Sequence, residues 1–100
     1  MKDWVKKEKH DAKKFNAHRT KGSGNSWYNP GDSRNDKYLI ESKQTLKKSY
    51  SLNKDKLDKL YEQGLFTYKT PLLAVRIMDM DLIVVFEEDF SKLLENQTKE

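Results

Sequence analysis

The sequence predicts a mixed α/β fold in which a central mixed β-sheet is flanked by helices. The evidence is an amphipathic helical pattern at the N-terminus, an alternating strand pattern near the middle, and two apolar runs that follow a second helical pattern. The 100 residues are 35% hydrophobic and 36% charged, which allows one thin core. We therefore expect a single domain over residues 1–100 and a homo-oligomer whose interface adds to that core.

The first predicted element is a helix over residues 3–15. Its apolar residues recur at helical spacing, as expected for one packed face: Trp4, Val5, Ala12 and Phe15. Glu8 falls on this face, where an acid is unfavourable unless a metal ion or a lysine pairs with it. The lysines are expected mainly around the other sides of the helix: Lys6, Lys7, Lys9, Lys13 and Lys14.

A polar loop and then a strand are predicted next. Residues 20–36 are rich in Gly, Ser, Asn, Asp and Pro, which favours a loop. Residues 37–45 have the alternating character of a strand, which could form a hairpin turning at residues 34–36. Side chains two residues apart share a face, so Glu41 and Lys43 should point the same way. Three side chains should point to the opposite face: Tyr38, Ile40 and Ser42.

The C-terminal half predicts a helix, a strand pair and a closing helix. Asn53 is a good N-cap for a helix over residues 53–63, and Gly64 suits its C-terminal stop. The apolar runs 71–77 and 82–86 predict a buried strand pair, and residues 87–96 a short final helix.

Composition excludes several kinds of chemistry. The chain has no cysteine, so disulfides, thiolate metal sites and cysteine nucleophiles are ruled out. His10 and His18 have no recognised zinc-ligand spacing. Residues 22–25 lack the Gly-Lys-Ser/Thr ending of a nucleotide-binding loop. The longest apolar run, residues 82–86, falls far short of the ~20 residues that span a bilayer, so we expect a soluble cytoplasmic protein with no membrane partner.

The positive charge is concentrated at one end of the sequence. Net charge is +4, and residues 1–21 contain eight basic and three acidic residues. Such a surplus suits binding to a phosphate backbone, although a solvated lysine-rich helix would account for it equally well.

The order of these features resembles the PD-(D/E)XK nuclease superfamily, because Pro30-Gly31-Asp32 precedes Glu41-Ser42-Lys43. Within it, the chain is similar to archaeal-type Holliday-junction resolvases and their small phage relatives. These have an acid in the first helix, a basic Ser/Gly-containing segment, the Asp and E-x-K strand, and later a strand beginning P-x-L-A-V-[KR]. The matching positions follow in that order: Glu8, residues 19–24, Asp32, residues 41–43 and residues 71–76. The chain departs from the pattern in its longer polar loop around residues 27–30 and its shorter connection before Glu41.

The resemblance implies a restriction-endonuclease-like core and a homodimer that resolves four-way DNA junctions by paired nicks. It also implies Mg²⁺, with Mn²⁺ as a substitute, held by oxygen ligands. Asp32 and Glu41 would be the principal ligands, the backbone carbonyl of Ser42 a third, and Glu8 a direct or water-mediated contact. Lys43 would orient the attacking water and offset charge on the phosphate. The E-x-K spacing alone would favour an ordinary surface pair of Glu41 and Lys43. The presence of Glu8 and Asp32 ahead of it, in the order of the family pattern, favours catalysis instead.

Two other functions stay open. One is a related endonuclease specific for flaps or for repair intermediates, and the other is a DNA-binding module without catalysis. The expected DNA-binding residues are Lys9, Arg19, Lys21, Ser23, Trp27, Tyr28, Lys47 and Lys48. Ser23 is included from the resemblance, Trp27 and Tyr28 could instead be packing anchors, and Lys47 and Lys48 could be solvated turn residues. A phage-encoded protein would act in the host cytoplasm.

Overall fold

The computed structural model describes residues 3–19 and 31–98. In order, their elements are α1 (Asp3–Lys14), β1 (His18–Arg19), β2 (Ser33–Arg34), β3 (Tyr38–Thr45), α2 (Lys54–Thr67), β4 (Thr70–Ile77), β5 (Met80–Val85) and α3 (Glu87–Thr98). The five strands of these ranges form one mixed sheet flanked by helices, which confirms the predicted α/β class. Within the same ranges, no helix is long and apolar enough to cross a membrane.

The strands lie in the sheet in their chain order, from β1 to β5. Neighbouring strands are antiparallel except for β3 and β4, which are parallel with Glu41 opposite Leu73. A parallel pair needs a long crossover connection, and α2 forms it. The central strands β3 and β4 are therefore covered by helices and contain most of the buried hydrophobic residues of the described ranges.

The core lies on both faces of β3 and β4. Leu39 and Leu73 pack with Leu60 of α2 on one face. Ile40 and Leu72 pack with Phe15, which follows α1, on the other. This alternation confirms the prediction for β3: Glu41 and Lys43 lie on the α2 face, whereas Ser42 contacts α1 on the opposite face.

The predicted start of α2 is confirmed, but its predicted end is wrong. The side chain of Asn53 accepts a hydrogen bond from the Lys56 N–H at 3.1 Å and caps the helix. At the other end the helix continues through Gly64 to Thr67 and terminates at Tyr68, whose φ is 58°. Gly64 is needed for packing, because a Cβ there would lie 2.8 Å from Cδ of Pro71. The glycine thus lets α2 approach the start of β4 closely.

The sheet edges also differ from the sequence predictions. β1 was not predicted. β2 lies inside the segment predicted as a loop, but its antiparallel pairing with β3 confirms the hairpin suggested near residues 34–36. Two-residue strands are too short to show a periodic pattern. β5 is not buried as predicted: Leu82 is 39% and Ile83 41% exposed. The reason is that β5 is the edge strand beside β4 and is only partly covered.

The buried face of α1 agrees only in part with the predicted one, since Ala12 is buried as expected but other positions differ. Trp4 is 48% exposed, whereas Lys7, expected on a solvated side, is only 2% exposed. The Lys7 ammonium donates a hydrogen bond to Oδ1 of Asp11 at 2.8 Å and lies 3.8 Å from Oδ1 of Asp81. Lys7 and Asp11 are one helical turn apart, so they face the sheet together as a buried ion pair.

We predict that Lys7→Met destabilises the protein by about 3–5 kcal/mol, because it leaves the Asp11 carboxylate buried without its counter-charge. The free energy of unfolding, measured by urea denaturation, checks this. Lys6→Met is the matched control, since Lys6 is exposed on the same helix. Equal stability of the two variants would contradict the structural role of the Lys7–Asp11 pair.

Candidate active site

Asp32 is held at the edge of β3 by a close approach of the chain. Its N–H donates to the Ile40 carbonyl at 2.8 Å, and its carboxylate accepts from the Ser42 N–H at 2.8 Å. The preceding residue, Gly31, has φ 80°, and a Cβ there would lie 2.5 Å from Cδ1 of Leu39. Glycine is therefore required at this position, and it brings Asp32 into a site where only 5% of the residue is exposed.

The short length of β2 leaves part of the β3 edge available. β2 pairs only with Leu39 and Ile40, although β3 continues to Thr45. Beyond Ile40, the Ser42 N–H is bound by the Asp32 side chain. The N–H and C=O of one residue in a strand point to the same side, so the Ser42 carbonyl also faces this edge.

Glu41 and Lys43 lie together on the α2 face of β3. The Lys43 ammonium is 3.4 Å from Oε1 of Glu41, and both side chains are partly exposed. Burial lowers the pKa of Lys43, but the nearby charges of Glu41 and Asp32 outweigh it and raise the pKa above its usual value. Lys43 is therefore a charged group that a ligand can reach.

The surroundings of Asp32 favour its protonated form. Burial and, to a smaller extent, the charges of Glu41 and Glu8 raise the pKa of Asp32 to about 7, although the hydrogen bond from Ser42 and the charge of Lys43 act in the opposite direction. The fold thus brings Glu8, Asp32 and Glu41, which are far apart in the sequence, close enough for their charges to interact. Such a perturbed carboxyl beside other charged groups is typical of functional sites, although structural networks also produce it.

Glu8 approaches this cluster from α1. It is buried, as expected for an acid on the packed face, and its Oε1 is 3.3 Å from Nη2 of Arg19. Arg19, a predicted DNA-binding residue, is thus bound to a predicted catalytic residue. Its Nε is also buried and has no hydrogen-bond partner among residues 3–19 and 31–98.

A second buried network was missed in the sequence. The Ser42 hydroxyl donates to Oδ2 of Asp11 at 2.6 Å, and Asp11 in turn binds Lys7. Beside this network, on the exposed part of the sheet, Arg76 of β4 donates to Asp81 of β5 through two nitrogens, at 2.7 and 3.1 Å. The sequence does contain one indication of this network. Asp11 is three residues from Glu8 and four from Lys7, so it lies on the same face of α1 as both.

The donors at the β3 edge suit a hard divalent cation. The carboxylates of Asp32 and Glu41 and the carbonyl of Ser42 are oxygen ligands of the kind that Mg²⁺ prefers. A cation would also offset the negative charge that disfavours ionised Asp32. In the part of the chain that the structure describes, no group of three His, Cys, Asp or Glu side chains is placed to hold an ion. The residues therefore fit a site of two carboxylates completed by a carbonyl and water, with Glu8 contacting Arg19 beside it.

The predicted DNA-binding residues are only partly described. Lys9 is exposed on α1, and Lys47 and Lys48 are exposed just after β3. The remaining four lie outside the described residues: Lys21, Ser23, Trp27 and Tyr28. Within the described ranges, Arg19 forms an ion pair with Glu8, and Lys43 forms one with Glu41.

Comparisons with known proteins assign no family to this chain. It matches no protein-family model, no curated protein and no solved structure. Its function must therefore be inferred from the residues of the site.

We predict that ionisation of Asp32 destabilises the metal-free protein. The pKa is 3.8 in the unfolded chain and about 7 in the fold, so the folded state keeps a proton that the unfolded state releases. As pH rises through this window, wild-type stability should fall relative to Asp32→Asn, and the difference should level off above about pH 7. Urea denaturation across this range with a chelator present measures it. A difference that does not change with pH would contradict the raised pKa.

Proposed function

We propose that this chain is a Mg²⁺-dependent DNA endonuclease with a restriction-endonuclease-like core, acting on Holliday junctions. The observation that carries the proposal is the buried Asp32 carboxyl, whose pKa is raised to about 7 beside Glu41 and Lys43. These are the residues that the PD-(D/E)XK pattern selects for catalysis. A purely structural acid would be expected to have a dedicated counter-charge, as Asp11 has in Lys7.

The residues divide the chemistry of phosphodiester hydrolysis between them. A bound divalent cation would supply Lewis acidity and lower the pKa of a coordinated water. Asp32 and Glu41 would hold it, together with the Ser42 carbonyl. The charged Lys43 orients the attacking water and offsets the charge on the scissile phosphate. Glu8 supports the cluster directly or through water and holds Arg19 at its side.

DNA as the substrate is supported by the distribution of positive charge. Lys9 projects from the N-terminal basic segment, and Lys47 and Lys48 follow the strand that carries Glu41 and Lys43. Contacts of lysine and arginine with phosphates supply affinity without sequence preference. The preference for a four-way junction comes from the resolvase resemblance. A flap or repair endonuclease and a non-catalytic DNA-binding module are the alternatives that experiment must separate.

A homodimer is part of the proposal, because paired nicks need two active sites related by symmetry. An apolar groove lies on the face of the sheet opposite Glu41 and Lys43, and its lining includes Ile83, Phe90 and Leu93. All three are exposed. A second copy packed here would cover apolar surface and leave both catalytic faces open to DNA.

We predict that Asp32→Asn, Glu41→Gln and Lys43→Ala each lower the cleavage rate by at least ~10²-fold, because each removes a metal ligand or charge stabilisation at the phosphate. DNA affinity in a chelator should change little. Glu62→Gln is the control, since Glu62 is exposed on α2 away from the cluster. Single-turnover cleavage of a labelled junction measures the rates. Wild-type rates in Asp32→Asn and Glu41→Gln would overturn the proposed site.

The substrate is tested by comparing DNA shapes with the wild-type protein. A four-way junction, a flap, a linear duplex and a single strand of equal length are incubated with Mg²⁺ or with a chelator. Cleavage of the junction alone supports the resolvase, and preference for the flap supports the related endonuclease. Binding without cleavage of any of them supports the non-catalytic module.

We predict that Phe90→Glu converts the dimer to a monomer, because it places a charge in an interface that must be desolvated. Lys92→Glu is the control on the exposed surface of the same helix. Light scattering during size-exclusion chromatography measures the mass. A wild-type monomer, or a Phe90→Glu dimer, would contradict the proposed interface.

A further inference from the structure

A cleft of about 210 Å³ lies between β3 and the first turns of α2. Glu41 and Lys43 line one end of it, so it opens directly from the candidate active site. Lys56 and Lys59 of α2 line it as well, and Tyr50 contributes from the connecting segment. Apart from Glu41 and Lys43, no residue that lines this space takes part in the proposed hydrolysis.

The walls of the cleft differ in character. Leu57, Leu60 and Leu73 form its apolar part, and they belong to or pack against the core on the α2 face of the sheet. Tyr50 packs against the same core. Tyr50 and Lys43 line the same cleft. A surface that is apolar and aromatic on one side and cationic on the other suits a nucleotide, whose base is flat and whose phosphate is negative.

Two of the three lysines of α2 line the cleft and are available to bind a ligand. Lys56 and Lys59 are three residues apart, so they lie on one face of the helix, and both are exposed. Neither ammonium forms an ion pair with any residue in 3–19 or 31–98. Lys54 on the same helix differs, because it is paired with Asp58 and does not line the cleft.

We propose that this cleft holds one unpaired nucleotide of the DNA strand that is cut at Glu41 and Lys43, with Lys56 and Lys59 binding its flanking phosphates. The assignment of the strand rests on the proposed nuclease function. A space of about 210 Å³ is smaller than most ligand pockets and cannot admit a double helix. A single nucleotide leaving a branch point can enter it and stack on Tyr50. Lys43 borders both the cleft and the active site, so it would lie beside this strand where the strand passes from one to the other.

The test measures binding without cleavage. Fluorescence anisotropy with a labelled oligothymidylate of about ten nucleotides, in a chelator, gives the Kd of the single strand. K56Q/K59Q should raise this Kd about tenfold and reduce the slope of log Kd against log salt by ~0.7 for each phosphate that the variant no longer neutralises. The control K54Q/K92Q removes the same charge from exposed lysines outside the cleft, and it should leave the slope unchanged.

The outcomes separate the cleft from the nuclease. Equal Kd values and slopes for the two double variants, or no single-strand binding by the wild type, would overturn the cleft proposal even if junctions are cleaved. A selective loss of affinity in K56Q/K59Q supports the cleft even if no DNA is cleaved in Mg²⁺, which would overturn only the nuclease. Urea denaturation of both variants verifies that the exposed substitutions leave the fold intact.

Discussion

Ser42 hydrogen-bonds two buried aspartates through different atoms, and the arrangement of the site follows from these bonds. Its N–H binds Asp32 at the edge of β3, and its hydroxyl binds Asp11 of α1 on one face. Asp11 also receives the Lys7 ammonium at 2.8 Å, whereas the charges around Asp32 include the carboxylates of Glu41 and Glu8. The charge of Asp11 is thus neutralised within the fold by Lys7. Ionised Asp32 is disfavoured by its surroundings, and a bound cation would stabilise it.

The two faces of the sheet consequently have different roles. The α1 face contains the Lys7–Asp11 pair, which fixes the helix to the sheet through Ser42. The α2 face presents Glu41 and Lys43 and opens into the cleft beside α2. Because side chains alternate along β3, a single strand supplies both the contact with α1 and the groups that we propose to be catalytic. A shift of β3 by one residue would exchange these faces. The contact of Ser42 with α1 and the position of Glu41 and Lys43 beside α2 would then both be lost.

Much of the fold and the candidate site could be predicted from local pattern. Alternation along β3 indicated the shared face of Glu41 and Lys43, and Asn53 marked the start of α2 correctly. The buried face of α1 was predicted only in part: Glu8 and Ala12 are buried as expected. Lys7 and Asp11 were not predicted to be buried, because they have the sequence character of solvated residues and only their mutual pairing makes burial possible. Gly64 indicated a helix stop, although tertiary packing against Pro71 explains it. The cleft could not be predicted, because lysines on one helix face usually indicate nothing more than solvation.

The most direct test of the central claim is a titration of the Asp32 carboxyl by ¹³C NMR, without and with Mg²⁺. We predict that in the metal-free protein this carbon titrates with a pKa of about 7, and that Mg²⁺ lowers the value by favouring the ionised form. The carboxyl carbon of Asp11 provides an internal comparison, because Mg²⁺ should leave its chemical shift unchanged. An Asp32 pKa near the ordinary 3.8 that does not respond to Mg²⁺ would contradict the claim that this residue forms a cation site.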